Sequence, residues 1–96
     1  MDDRKSVIAS LKNRIFKILP LKEEGNAHLD VYIDSLCLYI NGMLDMPMWA
    51  LYYNELHETV CVLSYLAKND CAVAVCKREV FRLLHNLDRL CSVEVC

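Results

Sequence analysis

Apolar residues recur at helical spacing along almost the whole chain. The first such segment runs from about Asp3 to Leu19 and keeps an apolar face through every turn. Pro20 is expected to end this helix, because the residue before a proline is pushed out of the α region. Gly25 and Asn26 then form a turn, with Asn26 as the expected N-cap of the next helix.

The second predicted helix spans residues 27–45 and has apolar residues on two sides. Its main stripe consists of Leu29, Tyr32, Ile33, Leu36, Ile40, Met43 and Leu44. Val31 and Leu38 lie well away from that stripe, which is typical of a central helix or of one that contributes to an interface. Gly42 weakens the last turn by about 1 kcal/mol relative to alanine, and marks either a close helix crossing or a frayed end.

Two further helices are predicted in the second half of the chain. Pro47 opens a third helix, which runs to about Lys68, because proline is tolerated in a first turn. Its expected buried face is Trp49, Tyr52, Tyr53, Leu56, Val60, Leu63 and Ala67. Asp70 is the expected cap of a fourth helix from about Cys71 to Val95. A two-repeat heptad seam suited to bundle packing runs along this helix: Cys76, Val80, Leu83, Leu87 and Leu90.

These patterns predict an all-α fold: a four-helix bundle or a similar compact helical array with short turns, in a single domain over residues 1–96. Apolar residues make up 55% of the chain, above the roughly 45–50% usual for soluble domains. Part of this excess is expected on the surface, where it predicts a protein partner or a homo-oligomer. The alternative is a well-packed monomer that hides its cysteines and methionines.

The sequence carries no pattern of a membrane or export protein. The apolar run Cys71 to Cys76 has six residues, whereas a spanning helix needs about 18–20. The charged start, Met1 to Lys5, is not followed by the apolar region of a signal peptide. We therefore expect a soluble cytoplasmic protein with free thiols at its six cysteines: Cys37, Cys61, Cys71, Cys76, Cys91 and Cys96.

Charge is segregated along the chain, although the net charge is only −2. Residues 1–22 carry six basic and two acidic groups (+4), whereas residues 23–70 carry one basic and eight acidic groups (−7). This segregation favours packing of the first helix beside the acidic middle helices, or an acidic face for a basic partner. The basic first helix offers too few cations for the roughly six to ten phosphate contacts typical of DNA binding, unless the last helix lies beside it. Nucleic acid is therefore not an expected partner.

No constellation predicts catalysis, a cofactor or a small-molecule substrate. His57 and Cys61 are four residues apart on one helix face, but zinc takes four ligands and usually a close pair across a turn. Cys71 near a helix start meets only one requirement of a thiolate nucleophile. Two glycines cannot build a phosphate-binding loop. We expect no enzyme and no metal; a cysteine- or zinc-dependent regulator remains an alternative.

The segment around the single tryptophan, Trp49, is the candidate partner-binding site. Tyrosine and tryptophan dominate binding hot spots, and methionine adapts to varied partner shapes. One helix-entry turn cannot direct all of these side chains inward, although Trp49 and Tyr53 would alternatively plug the end of the bundle. The candidate residues are Asp45, Met46, Met48, Trp49, Tyr52, Tyr53 and Glu55.

Two stretches carry a family resemblance: residues 21–26 leading into 29–36, and residues 76–84. They resemble small uncharacterised all-helical proteins of phages and mobile elements of Gram-positive bacteria, over about a quarter of the chain. The second helix also resembles head–tail connector subunits of phages, from which this chain departs by ending on a long heptad helix. The resemblance implies a phage-encoded inhibitor of a host or anti-phage defence protein, or alternatively a virion or assembly subunit. No functional residue carries over.

The cysteine spacing predicts a chain that is purified reduced and without metal. Native mass spectrometry of protein prepared without chelator should give the mass of the bare, fully reduced chain. A stoichiometric zinc adduct or an intramolecular disulfide in fresh material would contradict this prediction.

Overall fold

Every element of the described chain is helical. The computed structural model describes residues 3–69 and 71–95, and the side chains of residues 4–69 and 71–90. Its elements are α1 (Asp3–Phe16), α2 (Ile18–Glu23), α3 (Leu29–Leu44), a 3₁₀ helix (Pro47–Tyr52), α4 (Tyr53–Lys68) and α5 (Val73–Val95). The predicted all-α fold is confirmed for these residues. Asp70, the expected cap of the last helix, lies outside them.

The prediction that Pro20 ends the first helix is wrong. The chain breaks earlier, at Lys17, and Pro20 occupies the third position of the short helix α2. A proline is tolerated there because the N–H groups of a first helical turn have no intrahelical partner. The turn after α2 lies at the predicted residues, Gly25 and Asn26. Gly25 has φ +67°, and the Asn26 N–H donates to the Leu21 carbonyl at 3.0 Å. This geometry is a Schellman motif, which satisfies the last carbonyls of α2.

The expected N-cap at Asn26 lies two residues too early. His28 is the residue that precedes α3. The backbone N–H of His28 donates a hydrogen bond to the Asn26 Oδ1 at 2.8 Å. Asn26 therefore shapes the turn that leads into α3 rather than capping the helix, as asparagine side chains commonly do.

The predicted third helix divides into two elements with different periods. Pro47 opens it as expected, but residues 47–52 form a 3₁₀ helix and only residues 53–68 are α-helical. A 3₁₀ helix has three residues per turn, so residues three apart share a face. Trp49 and Tyr52 lie on its buried face, whereas Met48 and Leu51 lie on its exposed face. The change of period thus decides which side chains of this segment point inward.

One core unites the described elements. All five residues of the predicted heptad seam of α5 are buried. Val31 and Leu38 of α3 are exposed, so these two side chains do not make α3 a helix that is buried on both sides. Thr59 is the buried polar residue of the core, and its hydroxyl donates to the Glu55 carbonyl at 2.8 Å. Fully buried side chains come from every α-helix: Leu11, Ile15, Ile18, Leu36, Ile40, Leu56, Leu63, Val80, Leu83 and Leu87.

The helices pack in neighbouring pairs, α3 against α4 and α1 with α2 against α5. The ring contact between Phe16 and Phe81, together with the ion pair between Lys12 and Asp88, shows that α1 and α5 run antiparallel. α1 also approaches the middle of the chain: the Tyr32 hydroxyl of α3 donates to the Arg14 carbonyl at 2.6 Å, and Arg4 lies over the Tyr52 ring of the 3₁₀ helix. Among the described helices, none is long and apolar enough to cross a membrane.

Burial of Trp49 predicts a large contribution to stability. The indole is only 2% exposed, so Trp49→Ala should lower the free energy of unfolding by about 3–5 kcal/mol. Leu51→Ala, on the exposed face of the same 3₁₀ helix, is the matched control and should change it by no more than about 0.5 kcal/mol. Urea unfolding of the two variants measures both values. Equal losses would contradict the assignment of the inward face.

Candidate functional site

The structure separates the predicted binding segment into a buried and an exposed half. Trp49 and Tyr52 are buried and contact each other, with 6.1 Å between ring centroids. The two side chains therefore belong to the core, and the expectation that they present a contact surface is corrected in this respect. Met46, Met48 and Tyr53 are each about half exposed.

The two acidic residues of the predicted site lie at helix ends. Asp45 is exposed and is the C-cap residue of α3, next to Met46. Glu55 is half-buried in the first turn of α4. They are not drawn together with the exposed methionines into one polar cluster, so the exposed part of the segment is chiefly apolar.

The exposed methionines form one end of a groove between α1, α3 and the 3₁₀ helix. The groove has a volume of about 600 Å³ and is mostly apolar. Val7 of α1 lies on one side, and the other lining residues come from α3 and the segment after it: Leu38, Tyr39, Gly42, Met43, Met46, Met48 and Trp49. Leu38 is 73% exposed, which is unusual for a leucine in the middle of a helix.

Five groove residues were absent from the predicted site: Val7, Leu38, Tyr39, Gly42 and Met43. Leu38 carried a signal in the sequence, since it falls off the buried stripe of its helix. Val7 carried no such signal in the sequence, because only the tertiary fold brings it near α3. Gly42 does not mark a close helix crossing: a Cβ atom placed there would have no neighbour within 4 Å. Its missing side chain instead leaves the middle of the groove open.

A stacked arginine lies at one end of the groove. The Arg14 guanidinium sits over the Tyr39 ring at 4.9 Å from its centroid, within the range of a cation–π interaction. Next to it, burial raises the pKa of the Tyr32 hydroxyl, with the positive charge of Arg14 acting in the opposite direction. At the other end, Arg4 lies 5.9 Å from the centroid of Tyr52, which itself packs on Trp49. Cations therefore flank an apolar floor.

The cysteines do not assemble a metal centre among the described residues. The Cys61 Sγ lies 3.8 Å from the His57 Nδ1, and the His57 ring stacks on Tyr53 with 5.8 Å between centroids. No third histidine, cysteine or carboxylate in the described part of the chain joins them. Burial raises the pKa of the Cys76 thiol, and burial together with Asp34 raises that of Cys37.

The condition for a basic patch across α1 and the last helix is met only in part. α1 and α5 are neighbours, and Phe16 and Phe81 lie exposed between them in an edge-to-face contact at 6.4 Å. Acidic residues interrupt the cations, however: Lys12 pairs with Asp88. Arg82 is held by Glu79 at 2.7 Å and by Glu58 at 3.3 Å. This face is therefore mixed in charge rather than continuously basic.

Exposure and thiol pKa predict an order of reactivity among the described cysteines. Alkylation by iodoacetamide at mildly alkaline pH should label Cys61 first and Cys76 last, because only the thiolate reacts and burial keeps the Cys76 thiol protonated and covered. Peptide mapping by mass spectrometry over a time course measures the order. Equal rates at Cys61 and Cys76 would contradict it.

Comparisons with known proteins give no family for this chain. No family model, no curated protein and no solved structure matches it. The feature of its surface that bears on function is the apolar groove, with its volume of about 600 Å³.

Proposed function

We propose that this protein is a non-enzymatic binding module that acts by docking another protein surface into the groove between α1 and α3. The observation that carries the proposal is the exposure of its apolar rim. Leu38 is 73% exposed, Met46 50% and Met48 43%. Monomeric proteins rarely leave a contiguous apolar patch of this kind uncovered unless it binds something.

The chemistry of the groove favours a protein over a small polar ligand. Three methionines and one leucine line it, and unbranched, polarisable methionine side chains reshape easily around different apolar partners. Each Å² of apolar surface that a partner covers contributes about 25 cal/mol. Trp49 supports this surface from beneath, where it packs against Tyr52.

Within this function, the resemblance to phage proteins supports an inhibitor that occupies a surface of a host or anti-phage defence protein. Such a role needs no catalytic residue, since blocking a surface is sufficient. The groove supplies the apolar surface that such binding requires.

A virion or assembly subunit is the second candidate. The observation that favours it is the separate exposed aromatic pair, Phe16 and Phe81, between α1 and α5. Two distinct apolar patches on one chain permit head-to-tail contacts, which build rings or filaments. Such assemblies would grow with concentration, whereas an inhibitor forms a defined small complex.

The groove predicts where cross-links form in the cell. A photo-reactive phenylalanine analogue at position 38 should give a discrete adduct of higher mass after irradiation, because Leu38 lies on the groove. The same analogue at Tyr65, which is 49% exposed on α4 and away from the groove, is the matched control and should give none. Mass spectrometry of the adduct identifies the partner. Absence of any adduct from position 38, or equal adducts from both positions, would overturn the proposal.

A further inference from the structure

The exposed face of α3 beside the groove has Leu38 and Asn41 at its centre and a carboxylate near each end. Asp34, Leu38, Asn41 and Asp45 follow one another at spacings of four, three and four residues, and all four are exposed. This spacing places them on one side of the helix. With a rise of about 1.5 Å per residue, the two carboxylates are about 16 Å apart along the axis.

The α1 side of the groove carries the complementary pattern. Arg4, Val7, Leu11 and Arg14 follow at spacings of three, four and three residues and so share a face of α1. Leu11 is buried beneath, Val7 lines the groove, and the two arginines are about 15 Å apart along the axis. Two cations therefore bracket an apolar strip with nearly the spacing of the two carboxylates on α3.

Stacking prepares Arg14 to bind a carboxylate. Its guanidinium carbon lies over the Tyr39 ring, 4.9 Å from the centroid. The N–H donors of a guanidinium point outward in its plane, where a carboxylate accepts two of them at once. None of the ion pairs among the described side chains involves Arg14, in contrast to Arg82.

Gly42 leaves space on the surface of α3 for a side chain from a second molecule. It lies on the groove, and a Cβ atom there would meet nothing within 4 Å. Leu38 is a protruding side chain one turn earlier on the same helix. If two copies of α3 run antiparallel with Leu38 of each over Gly42 of the other, the two contacts are equivalent by symmetry, as a twofold interface demands. The same register brings Asp45 of each copy toward Arg14 of the other.

We infer that the groove binds α3 of a second copy of this chain, in an antiparallel twofold dimer. Leu38 of one copy fills the space at Gly42 of the other, and Asp45 pairs with Arg14. The inference rests on the proposed function, because it names the occupant of the same groove. The pattern of α3 favours the second copy: Leu38 meets the apolar groove, and the Asp45 carboxylate meets the stacked Arg14 guanidinium group.

Sedimentation of the purified full chain tests the dimer. The average mass should rise with concentration from 11.1 kDa toward twice that value. Arg14→Glu and Asp45→Arg should each weaken association by about tenfold or more, since each places like charges opposite one another. The double variant Arg14→Glu with Asp45→Arg should recover most of the loss, because it restores an opposite-charge pair.

Gly42→Gln separates association from folding. Glutamine is a better helix former than glycine, and the site has room for its side chain in the monomer, so thermal stability should stay equal or rise while dimerisation is lost. Tyr65→Ala, which removes an exposed ring on α4 away from the groove, is the control and should leave dimerisation unchanged. A chain that stays monomeric, or a dimer that tolerates Gly42→Gln or ignores both charge reversals, would overturn the inference. If the chain stays monomeric while position 38 still cross-links to a different protein, the inference fails and the proposed function stands.

Discussion

Burial of Trp49 in the 3₁₀ helix is the contact on which the surface of this protein depends. The tighter 3₁₀ period turns Trp49 and Tyr52 into the core together, where they close the end of the bundle. Met48 is forced outward by the same geometry, and Met46 precedes it in extended conformation. The groove therefore exists because the largest side chain of the segment faces inward and leaves flexible methionines at the rim.

Periodicity predicted most of the fold because burial of a helix face leaves a regular trace in the sequence. The seam of α5 was predicted on this basis and is confirmed, whereas periodicity alone left open whether Val31 and Leu38 are buried or exposed. The wrong predictions concern positions where the same residue is compatible with two local structures. A proline such as Pro20 is compatible with the end of one helix or with the first turn of the next. The first turn is what the structure shows, because the chain breaks at Lys17, and no residue type near Lys17 predicts that break. Pro47 is likewise compatible with the first turn of a 3₁₀ helix or of an α-helix, so it does not predict which of the two forms.

The candidate site was predictable only in part, since a groove is a property of two elements and not of one. Met46 and Met48 belonged to the predicted segment and do line it, because a turn rich in large apolar residues cannot bury them all. Val7 is distant in sequence, and only the packing of α1 beside α3 brings it to the groove. The emphasis on tryptophan as a contact residue followed its frequency in hot spots, which does not distinguish an exposed indole from one that supports the surface from below.

Gly42 shows how the same residue weakens the monomer and shapes its surface. A glycine in a helix costs about 1 kcal/mol relative to alanine, and no steric conflict in the monomer excludes a side chain at this position. Packing inside the chain therefore does not require a glycine at this position. If a second copy and a foreign partner use one groove, their binding is mutually exclusive, and mass action makes dimerisation reduce the affinity for the partner. Dilute chain would then be the binding-competent form, and accumulation of the protein would by itself withdraw the groove.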